Sequence, residues 1–303
     1  MKIFIVGSLN MDLVIKAPFM PENGVTITGS DFMTNSGGKG ANQAAAVAKL
    51  GGNAMMVGCV GNSFGDDLIK NLKRYGVNTQ YVVKKDNVSS GVAIIVIVDG
   101  DNRIILDAGA NAIADEALVD KALADANEGD YLICQLEIPQ KTVAYALKQA
   151  KEKGLVTVLN PAPAAKLIDG VLSYCDYFIS NQSETEFYTG IYPTDEASVR
   201  KAAEKLGETG VKNVVITMGE QGSAALVNGE FVQVKRYKVK AVDTTSAGDT
   251  YVGALIIMLS QGKNIKEAMD FASKASALAV TKNGAQQSIP YLQEVWNFKE
   301  CID

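Results

Sequence analysis

The amino-acid sequence predicts an α/β fold in which a mainly parallel central sheet is covered by helices on both faces. Short apolar runs alternate with longer helical patterns over most of the chain, as expected of βαβ units. Glycines close several of the helical patterns, in the stretches KLGG, RYG and EKG, where helix C-caps are expected. With 303 residues, of which 47% are hydrophobic, the chain is long enough and apolar enough to bury a substantial core.

The individual strands and helices follow from these patterns in chain order. The strand candidates are Lys2–Val6, Ala54–Val60, Tyr131–Leu136, Val156–Leu159, Tyr177–Ile179 and Val214–Thr217. The helix candidates are Gly40–Leu50, Gly65–Tyr75, Thr142–Lys153, Ala197–Leu206, Asp249–Ser260, Ile265–Thr281 and a final turn or two near Tyr291–Phe298. We expect these elements to form a single domain over residues 1–303.

Two segments, Met11–Ser36 and Ser90–Ala108, break the alternation of strands and helices. Within the second, GVAIIVIVDGDNRIILDAG has the pattern of a β-hairpin with its turn at Asp99–Asn102. We therefore expect strands from about 11–36 and 90–108 to form a small β-sheet that lies on the main domain as a lid.

Charge and cysteine content exclude several classes of function. A formal charge of −5 without clustered Lys and Arg disfavours a nucleic-acid-binding surface. The sequence lacks both a long apolar run and a signal-peptide core, so we expect a cytoplasmic protein without a membrane partner. Cys59, Cys134, Cys175 and Cys301 show no CxxC spacing, and the first three lie in apolar runs, so we expect reduced, buried thiols.

The sequence contains no histidine. Its absence removes the commonest general base, the usual serine-hydrolase triad and most zinc sites. Any catalysis must therefore use carboxylates, lysines and backbone amides.

The stretch KAVDTTSAGDTYVGALIIML places Asp249 in the first turn of an apolar helix. Asp243 ends the alternating segment FVQVKRYKVKAVD, and a turn of small residues follows it. An acidic residue in a first turn interacts favourably with the helix dipole, by roughly 0.3–1 kcal/mol. A functional alternative uses the same geometry: unpaired amides of Ala247, Gly248 and Asp249 bind a phosphate, and the carboxylate accepts a proton from an attacking hydroxyl.

A second glycine-rich stretch, SGGKGANQAAAVAKLGG, opens a helix with three polar side chains, Lys39, Asn42 and Gln43. It fits neither a P-loop nor a dinucleotide-binding motif, because Gly40 follows the lysine and Ala-Asn-Gln follows that glycine. A tight loop that packs an alanine-rich helix against the sheet explains the pattern. The lysine charge also suits a sugar hydroxyl or a phosphate.

Polar residues also follow three other predicted elements. In GSLNMD, Asn10 and Asp12 lie two apart after the first strand, either as turn residues or as ligands at a strand end. In SNQSETE, Asn181 and Glu184 form a helix-capping pattern, or place a carboxylate near a nucleotide's magnesium ion. ITMGEQG and KNGAQQS are weaker glycine-turn signals.

Together, in this order and spacing, these segments resemble the ribokinase branch of the pfkB carbohydrate kinase family. The resemblance runs from Ile3 to about Pro290, and its most specific parts are GGKGANQA (Gly37–Ala44) and VDTTSAGDTYVGAL (Val242–Leu255). It implies a ribokinase-like fold with a small β-sheet lid over the sugar, and homodimers paired through their lids. It also implies a transferase that uses ATP, Mg²⁺ and an activating K⁺.

The resemblance assigns a role to each matching position. Sugar contacts fall on Asn10, Asp12, Gly38, Lys39, Asn42 and Glu137. ATP contacts fall on Asn181, Thr217, Gly219, Gly222, Gly248 and Ser273. Asp249 matches the catalytic base, and the amides of Ala247, Gly248 and Asp249 match the anion hole. Glu184 is placed near hydrated Mg²⁺, and the K⁺ site at Asp243, Thr245, Ala279, Lys282, Gly284 and Ser288.

Two positions depart from the family pattern. The usual Gly-Glu-Thr of the first lid strand is GVT at Gly24–Thr26, and the usual Gly-Ala-Gly-Asp before the base is TSAGD, with Ser246 still small. We expect ATP-dependent phosphorylation of D-ribose at its 5-hydroxyl, because Asn10 and Asp12 suit a sugar rich in hydroxyls. The alternatives are a kinase for 2-deoxyribose, fructose or a nucleoside, and a non-catalytic sugar-binding protein.

Overall fold

The structure is a computed structural model and describes residues 1–299. The strands are β1 (Lys2–Val6), β2 (Asn10–Lys16), β3 (Ser30–Gly37), β4 (Asn53–Val60), β5 (Asn78–Lys84), β6 (Gly91–Val98), β7 (Asp101–Asp107), β8 (Tyr131–Cys134), β9 (Val156–Leu159), β10 (Tyr177–Asn181), β11 (Asn213–Thr217), β12 (Ser223–Val227) and β13 (Glu230–Val234). The helices are α1 (Lys39–Lys49), α2 (Gly65–Arg74), α3 (Glu116–Leu123), α4 (Gln140–Glu152), α5 (Gln182–Thr189), α6 (Glu196–Gly207), α7 (Ala247–Ser260), α8 (Ile265–Ala279) and α9 (Leu292–Trp296).

The larger sheet has the strand order β13-β12-β11-β10-β9-β8-β1-β4-β5. Strands β5, β4, β1, β8, β9, β10 and β11 are parallel, and β12 and β13 add an antiparallel hairpin at one edge. The chain adds β4 and β5 on one side of β1 and β8 to β11 on the other. Ligands of open α/β sheets bind where this order reverses, at the carboxyl ends of the strands. A ligand site is therefore expected at the loops after β1 and β8.

Helices cover both faces of the larger sheet, so two hydrophobic cores flank it. Ile3 and Ile5 of β1 pack with α1, α2, α7 and α8 on one face. Phe4 and Val6 alternate with them and pack with α3, α4 and α6 on the other face. Burial on both faces explains the uninterrupted apolar runs of the parallel strands and confirms the predicted fold class.

The smaller sheet has the strand order β3-β2-β6-β7. Strands β6 and β7 lie within residues 90–108, whereas β2 and β3 extend one residue beyond each end of 11–36. The hairpin turn between β6 and β7 is tighter than predicted: Asp99 and Gly100 form it, and Asn102 already pairs with Ile97. Both turn residues have positive φ, 53° and 83°, as a two-residue type I′ turn requires. Every residue of β7 is exposed, so the apolar side chains of Ile104, Ile105 and Leu106 are left uncovered in the part of the chain that the structure describes.

Some parts of the chain differ from the sequence-based assignment. The alternating segment FVQVKRYKVKAVD is a strand only as far as Val234, because β13 is the edge of the sheet and the following residues have no strand to pair with. Helix α3 and strands β5 and β12 were not predicted, and of α5 only the start was predicted, from the capping pattern in SNQSETE. Cys59, Cys134 and Cys175 are buried free thiols, as expected, whereas Cys301 lies outside the described residues. Within residues 1–299, no helix has the length and apolar character needed to span a bilayer.

Substituting Gly253 tests how closely α7 packs on α1. A Cβ here would lie 2.6 Å from the Cβ of Ala46 and 3.1 Å from the carbonyl oxygen of Gln43, so the helices would have to separate. We expect Gly253→Ala to lower the free energy of unfolding by roughly 1–3 kcal/mol in urea denaturation. The control is Gly207→Ala in α6, where a Cβ meets no atom within 4 Å. An unchanged free energy in Gly253→Ala would contradict the tight contact.

Candidate active site

The loop after β1 and the start of α1 approach each other too closely for side chains. Gly38 has φ +89°, and a Cβ on it would lie 2.7 Å from the Asn10 backbone nitrogen. A Cβ on Gly40 would lie 2.6 Å from the Ser8 backbone nitrogen. The glycines of GGKG therefore bring the first turn of α1 against the loop after β1.

The first turns of α1 and α7 meet at the carboxylate of Asp249. Asn42 Nδ2 donates a hydrogen bond to Asp249 Oδ2 at 2.9 Å, and Gln43 Nε2 donates to Asp249 Oδ1 at 3.1 Å. Gln135, just after β8, donates to Gln43 Oε1 at 2.6 Å and fixes the orientation of that amide. Gln43 also donates to Asn160 Oδ1 at 3.0 Å. Two neutral donors thus hold a buried aspartate that has no cationic partner in direct contact within the described residues.

The Lys39 side chain lies among several carboxylates. Its pKa is lowered by burial but lies above the ordinary value, because neighbouring carboxylates raise it by more. These carboxylates belong to Asp249, Glu137 and Glu184. Glu137 itself accepts hydrogen bonds from Ser8 Oγ at 2.5 Å and from the Lys39 amide at 3.1 Å. Lys39 is therefore a charged group in this cluster.

Asn10 and Asp12 are buried on strand β2, next to the same cluster. Burial and, to a smaller extent, the charges of Glu137 and Asp249 together raise the pKa of the Asp12 carboxyl to about 7. Asn10 Oδ1 accepts a hydrogen bond from Asn111 Nδ2 at 2.7 Å. Asn111 lies far along the chain and was not among the residues selected from the sequence, since no local motif marks it.

Two adjoining cavities open between α1, α7 and the carboxyl ends of β10 and β11. The smaller, of about 250 Å³, is lined by residues that include Lys39, Asn181, Glu184, Thr217, Gly248 and Asp249. The larger, of about 440 Å³, is lined by residues that include Thr217, Gly219, Gly222, Gly248, Tyr251 and Ser273. A third cavity, of about 350 Å³, contains Asn10, Asn111 and Glu137 beneath the smaller sheet.

The N-terminus of α7 faces the first two cavities. The Ala247 amide donates to the Thr244 carbonyl at 3.2 Å, so it is not fully unpaired as the sequence suggested. The first intrahelical hydrogen bond runs from the Thr250 amide to the Ser246 carbonyl at 2.8 Å. The amides of Gly248 and Asp249 precede it and have no hydrogen-bond partner among residues 1–299. A Cβ on Gly248 would meet no protein atom within 4 Å, so the space beside these amides is open to an anion.

Asn181 and Glu184 form a reciprocal capping box at the start of α5. Asn181 Oδ1 accepts from the Glu184 amide at 2.8 Å, and Glu184 Oε2 accepts from the Asn181 amide at 2.9 Å. The capping interpretation of SNQSETE therefore holds. Both residues also line the smaller cavity, and burial raises the pKa of the Glu184 carboxyl. The Glu184 side chain thus caps α5 and also borders the cavity.

Asp243 connects the segment before α7 to the segment after α8. Its Oδ1 accepts from Thr245 Oγ1 at 2.6 Å, and its Oδ2 accepts from the Gly284 amide at 2.9 Å. The Lys282 ammonium turns away and pairs with Glu294 at 2.6 Å. Ser288 is buried in the same loop, and Ala279 is the last residue of α8. In residues 1–299, no cluster of three or more Cys, Asp or Glu residues forms a metal site by itself.

The chain is similar to known carbohydrate kinases over nearly its whole length. The model of the pfkB family carbohydrate kinases matches residues 1–292. The ribokinase of Schizosaccharomyces pombe is 43% identical over 97% of this chain and 96% of its own. The deoxyribokinase of Salmonella typhi is 37% identical over 97% of each chain. The structure of Arabidopsis thaliana ribokinase complexed with ribose and ATP superposes with a TM-score of 0.90 at 31% identity and 97% coverage of each chain.

The elevated pKa of Asp12 predicts a pH dependence of stability. The folded-state pKa of about 7 exceeds the ordinary 3.8, so between these values the folded protein binds more protons than the unfolded chain and loses stability as the pH rises. We expect the free energy of unfolding of the ligand-free protein, relative to Asp12→Asn, to fall from about pH 4 to about pH 7. Urea denaturation at stepped pH measures it, with Asp101→Asn in exposed β7 as the control. A pH-independent difference would contradict the prediction.

Proposed function

Because the chain belongs to the pfkB family of carbohydrate kinases, we propose that it transfers the γ-phosphate of ATP to the 5-hydroxyl of D-ribose. The family makes it a phosphotransferase that acts on a sugar hydroxyl. The observation that carries the proposal is the position of Asp249: its buried carboxylate lies in the first turn of a helix whose free amides face an open cavity. An acceptor hydroxyl and a phosphate can meet there.

Asp249 orients the sugar hydroxyl and accepts its proton. The hydroxyl oxygen attacks the γ-phosphorus, the bond from that phosphorus to the β-phosphate oxygen breaks, and the hydroxyl proton passes to the carboxylate. A carboxylate is too weak a base to remove an alcohol proton in the ground state. In a loose transition state the hydroxyl becomes acidic only as the new bond forms, so late proton acceptance is sufficient.

The amides of Gly248 and Asp249 stabilise the negative charge that develops on the phosphates. They are fixed by the helix before the reaction begins, so no reorganisation is needed during it. Lys39 adds a positive charge at the same cavity. Asn42 Oδ1 is buried without a protein hydrogen-bond partner in the described residues, and it suits a sugar hydroxyl donor.

The nucleotide occupies the larger cavity, lined by Gly219, Gly222 and Ser273. Mg²⁺ bound with ATP would neutralise phosphate charge, and Glu184, which borders the smaller cavity, would hold its hydration water. Asp243 receives only neutral donors and has no cationic partner in residues 1–299, which suits a K⁺ ion held together with nearby carbonyl oxygens. The remaining members of this cation site are Thr245, Ala279, Lys282, Gly284 and Ser288.

Ribose is favoured as the acceptor by the relatives and by the two polar side chains of β2. The Schizosaccharomyces pombe relative is a ribokinase, whereas the Salmonella typhi relative is a deoxyribokinase, so 2-deoxyribose is the second candidate. We place the enzyme in the cytoplasm, which the buried free thiols of Cys59, Cys134 and Cys175 favour.

A substrate panel tests the proposed function directly. We expect ADP release from ATP and Mg²⁺ to depend on D-ribose and to be faster with K⁺ than with Na⁺. The panel compares D-ribose, 2-deoxyribose, D-fructose and adenosine in a coupled assay. Preference for another sugar would contradict the assignment of ribose as the substrate but not the role of Asp249. Absence of turnover with every acceptor would contradict the proposed kinase activity.

Replacing the carboxylate of Asp249 separates catalysis from binding. Asp249→Asn keeps the side-chain volume and one oxygen acceptor but removes the proton acceptor. We expect turnover to fall by about 10²–10⁴-fold, while calorimetric binding of ribose weakens far less. A retained turnover would contradict the assignment of the base, and the thermal midpoint of the variant controls for folding.

We also propose that two copies associate through their smaller sheets. Ile104, Ile105 and Leu106 of β7 are 55%, 66% and 51% exposed, and Phe32 of β3 is 65% exposed. A charge in this apolar surface should prevent association, so Ile105→Lys is expected to be a monomer by light scattering at concentrations where the wild type is a dimer. Ile113→Lys, at an exposed residue outside the smaller sheet, is the control. A monomeric wild type would contradict the proposal.

A further inference from the structure

Asn111 lies where the chain leaves the smaller sheet and returns to the main domain. It belongs to a short 3₁₀ turn at Gly109–Ile113, directly after β7, and only 1% of its surface is exposed. All of its side-chain hydrogen bonds are with Leu9, between β1 and β2, and Asn10, the first residue of β2, about a hundred positions earlier. A buried amide with such hydrogen bonds fixes the positions of its partners, which here are the Leu9 backbone and the Asn10 side chain.

The backbone of Leu9 determines how the Asn111 amide is oriented. The Leu9 N–H can only donate, and it donates to Asn111 Oδ1 at 3.0 Å. The Nδ2 group of Asn111 must therefore point the other way, where it donates to the Leu9 carbonyl at 3.2 Å and to Asn10 Oδ1 at 2.7 Å. The reverse orientation would place the Nδ2 group against the Leu9 N–H donor, and Oδ1 against the Leu9 carbonyl and Asn10 Oδ1 acceptors. The amide of Asn111 thus has one favourable setting.

The orientation of Asn111 in turn sets that of Asn10. The atom of Asn10 that faces Asn111 must be an acceptor, so it is the oxygen, and the Nδ2 group of Asn10 lies on the opposite side. This Nδ2 group donates to no protein atom in residues 1–299. Asn10 borders the cavity that also contains Glu137. A pair of donors is therefore left for a ligand.

We propose that Asn111 is a positioning residue for sugar selectivity, holding Asn10 so that its amide nitrogen, and not its oxygen, faces the sugar. The inference rests on the proposed sugar kinase function. With Asp12 two positions along β2, the site offers a nitrogen donor beside a carboxylate acceptor. One hydroxyl bound between them accepts from the amide and donates to the carboxylate. A sugar that lacks this hydroxyl leaves both protein groups unpaired, which is the strongest basis for rejecting it.

Gly91 supports a closely fitted pair. A Cβ on this first residue of β6 would lie 2.1 Å from Asn10 Oδ1 and 2.2 Å from Asn111 Nδ2. The smaller sheet thus leaves the two amides just enough room to touch. The close fit keeps the two amides in contact, so the orientation of Asn111 is passed on to Asn10.

The test reverses the amide of Asn10 without altering Asn10 itself. In Asn111→Asp, one carboxylate oxygen still accepts from Leu9, while the other faces the Asn10 oxygen and repels it. The Asn10 amide should turn, so that its nitrogen faces residue 111 and its oxygen faces the sugar. We expect the KM for ribose to rise about tenfold or more, with kcat changed much less and the KM for ATP unchanged.

A double-mutant cycle distinguishes positioning from a general structural role. If Asn111 acts through Asn10, Asn111→Asp should add little to the KM of Asn10→Ala, because the side chain that it orients is gone. Asn111→Leu, which removes the polar contacts and adds no charge, should behave in the same way and covers the case in which the aspartate variant does not fold. Asn102→Asp on exposed β7 controls for added charge in the same region.

A set of ribose analogues, each lacking one hydroxyl, gives a second measurement. The analogue whose penalty is reduced by Asn10→Ala should be the one whose penalty is reduced by Asn111→Asp. Additive effects on KM, or different analogues for the two variants, would overturn the inference. Failure of the proposed function looks different, because the wild type would then not turn over ribose at all.

Discussion

The geometry of the site depends on the hydrogen bonds that join the first turns of α1 and α7. Asn42 and Gln43 of one helix hold both oxygens of Asp249 in the other. The contact is possible because Gly253 has no side chain: a Cβ at this position of α7 would lie only 2.6 Å from the Cβ of Ala46 in α1. The groups proposed to face the sugar and the phosphate are therefore aligned by packing in the core, with precision that a loop would not provide.

Electrostatics impose a second constraint on the same region. The Lys39 ammonium interacts with the carboxylates of Asp249, Glu137 and Glu184. The Asp12 carboxyl interacts with two of these, Glu137 and Asp249. Carboxylates outnumber the cation here, and burial, together with the charges of Glu137 and Asp249, raises the pKa of Asp12. An anionic nucleotide is best accommodated there together with cations of its own. The excess of carboxylates in this cluster therefore favours a nucleotide that binds together with cations.

The sequence predicted the elements that depend on local pattern and missed those that depend on distant partners. Parallel strands such as β1 are continuous apolar runs because both faces are buried, and the helix starts carry glycine-rich motifs that can be read directly. The short helix α3 has its N-cap at Asp115 but is only 8 residues long, which leaves little periodicity to detect. Asn111 contacts Leu9 across 102 positions, and no spacing rule connects them. The Ala247 amide was expected to be free because a turn's internal hydrogen bonds cannot be read from its composition.

The glycine contact at Gly253 has a consequence for how such a protein can change over time. The groups proposed to handle phosphate are carried by two helices locked together inside a core, where substitutions are costly. Asn10 and Asp12, in contrast, are carried by β2, which belongs to a peripheral sheet. On the proposed assignment of Asn10 and Asp12 to the sugar, mutations in that sheet alter which acceptor is selected while the helix pair keeps its alignment. New acceptor specificities are therefore accessible by gradual steps from a working enzyme, without passing through an inactive ancestor.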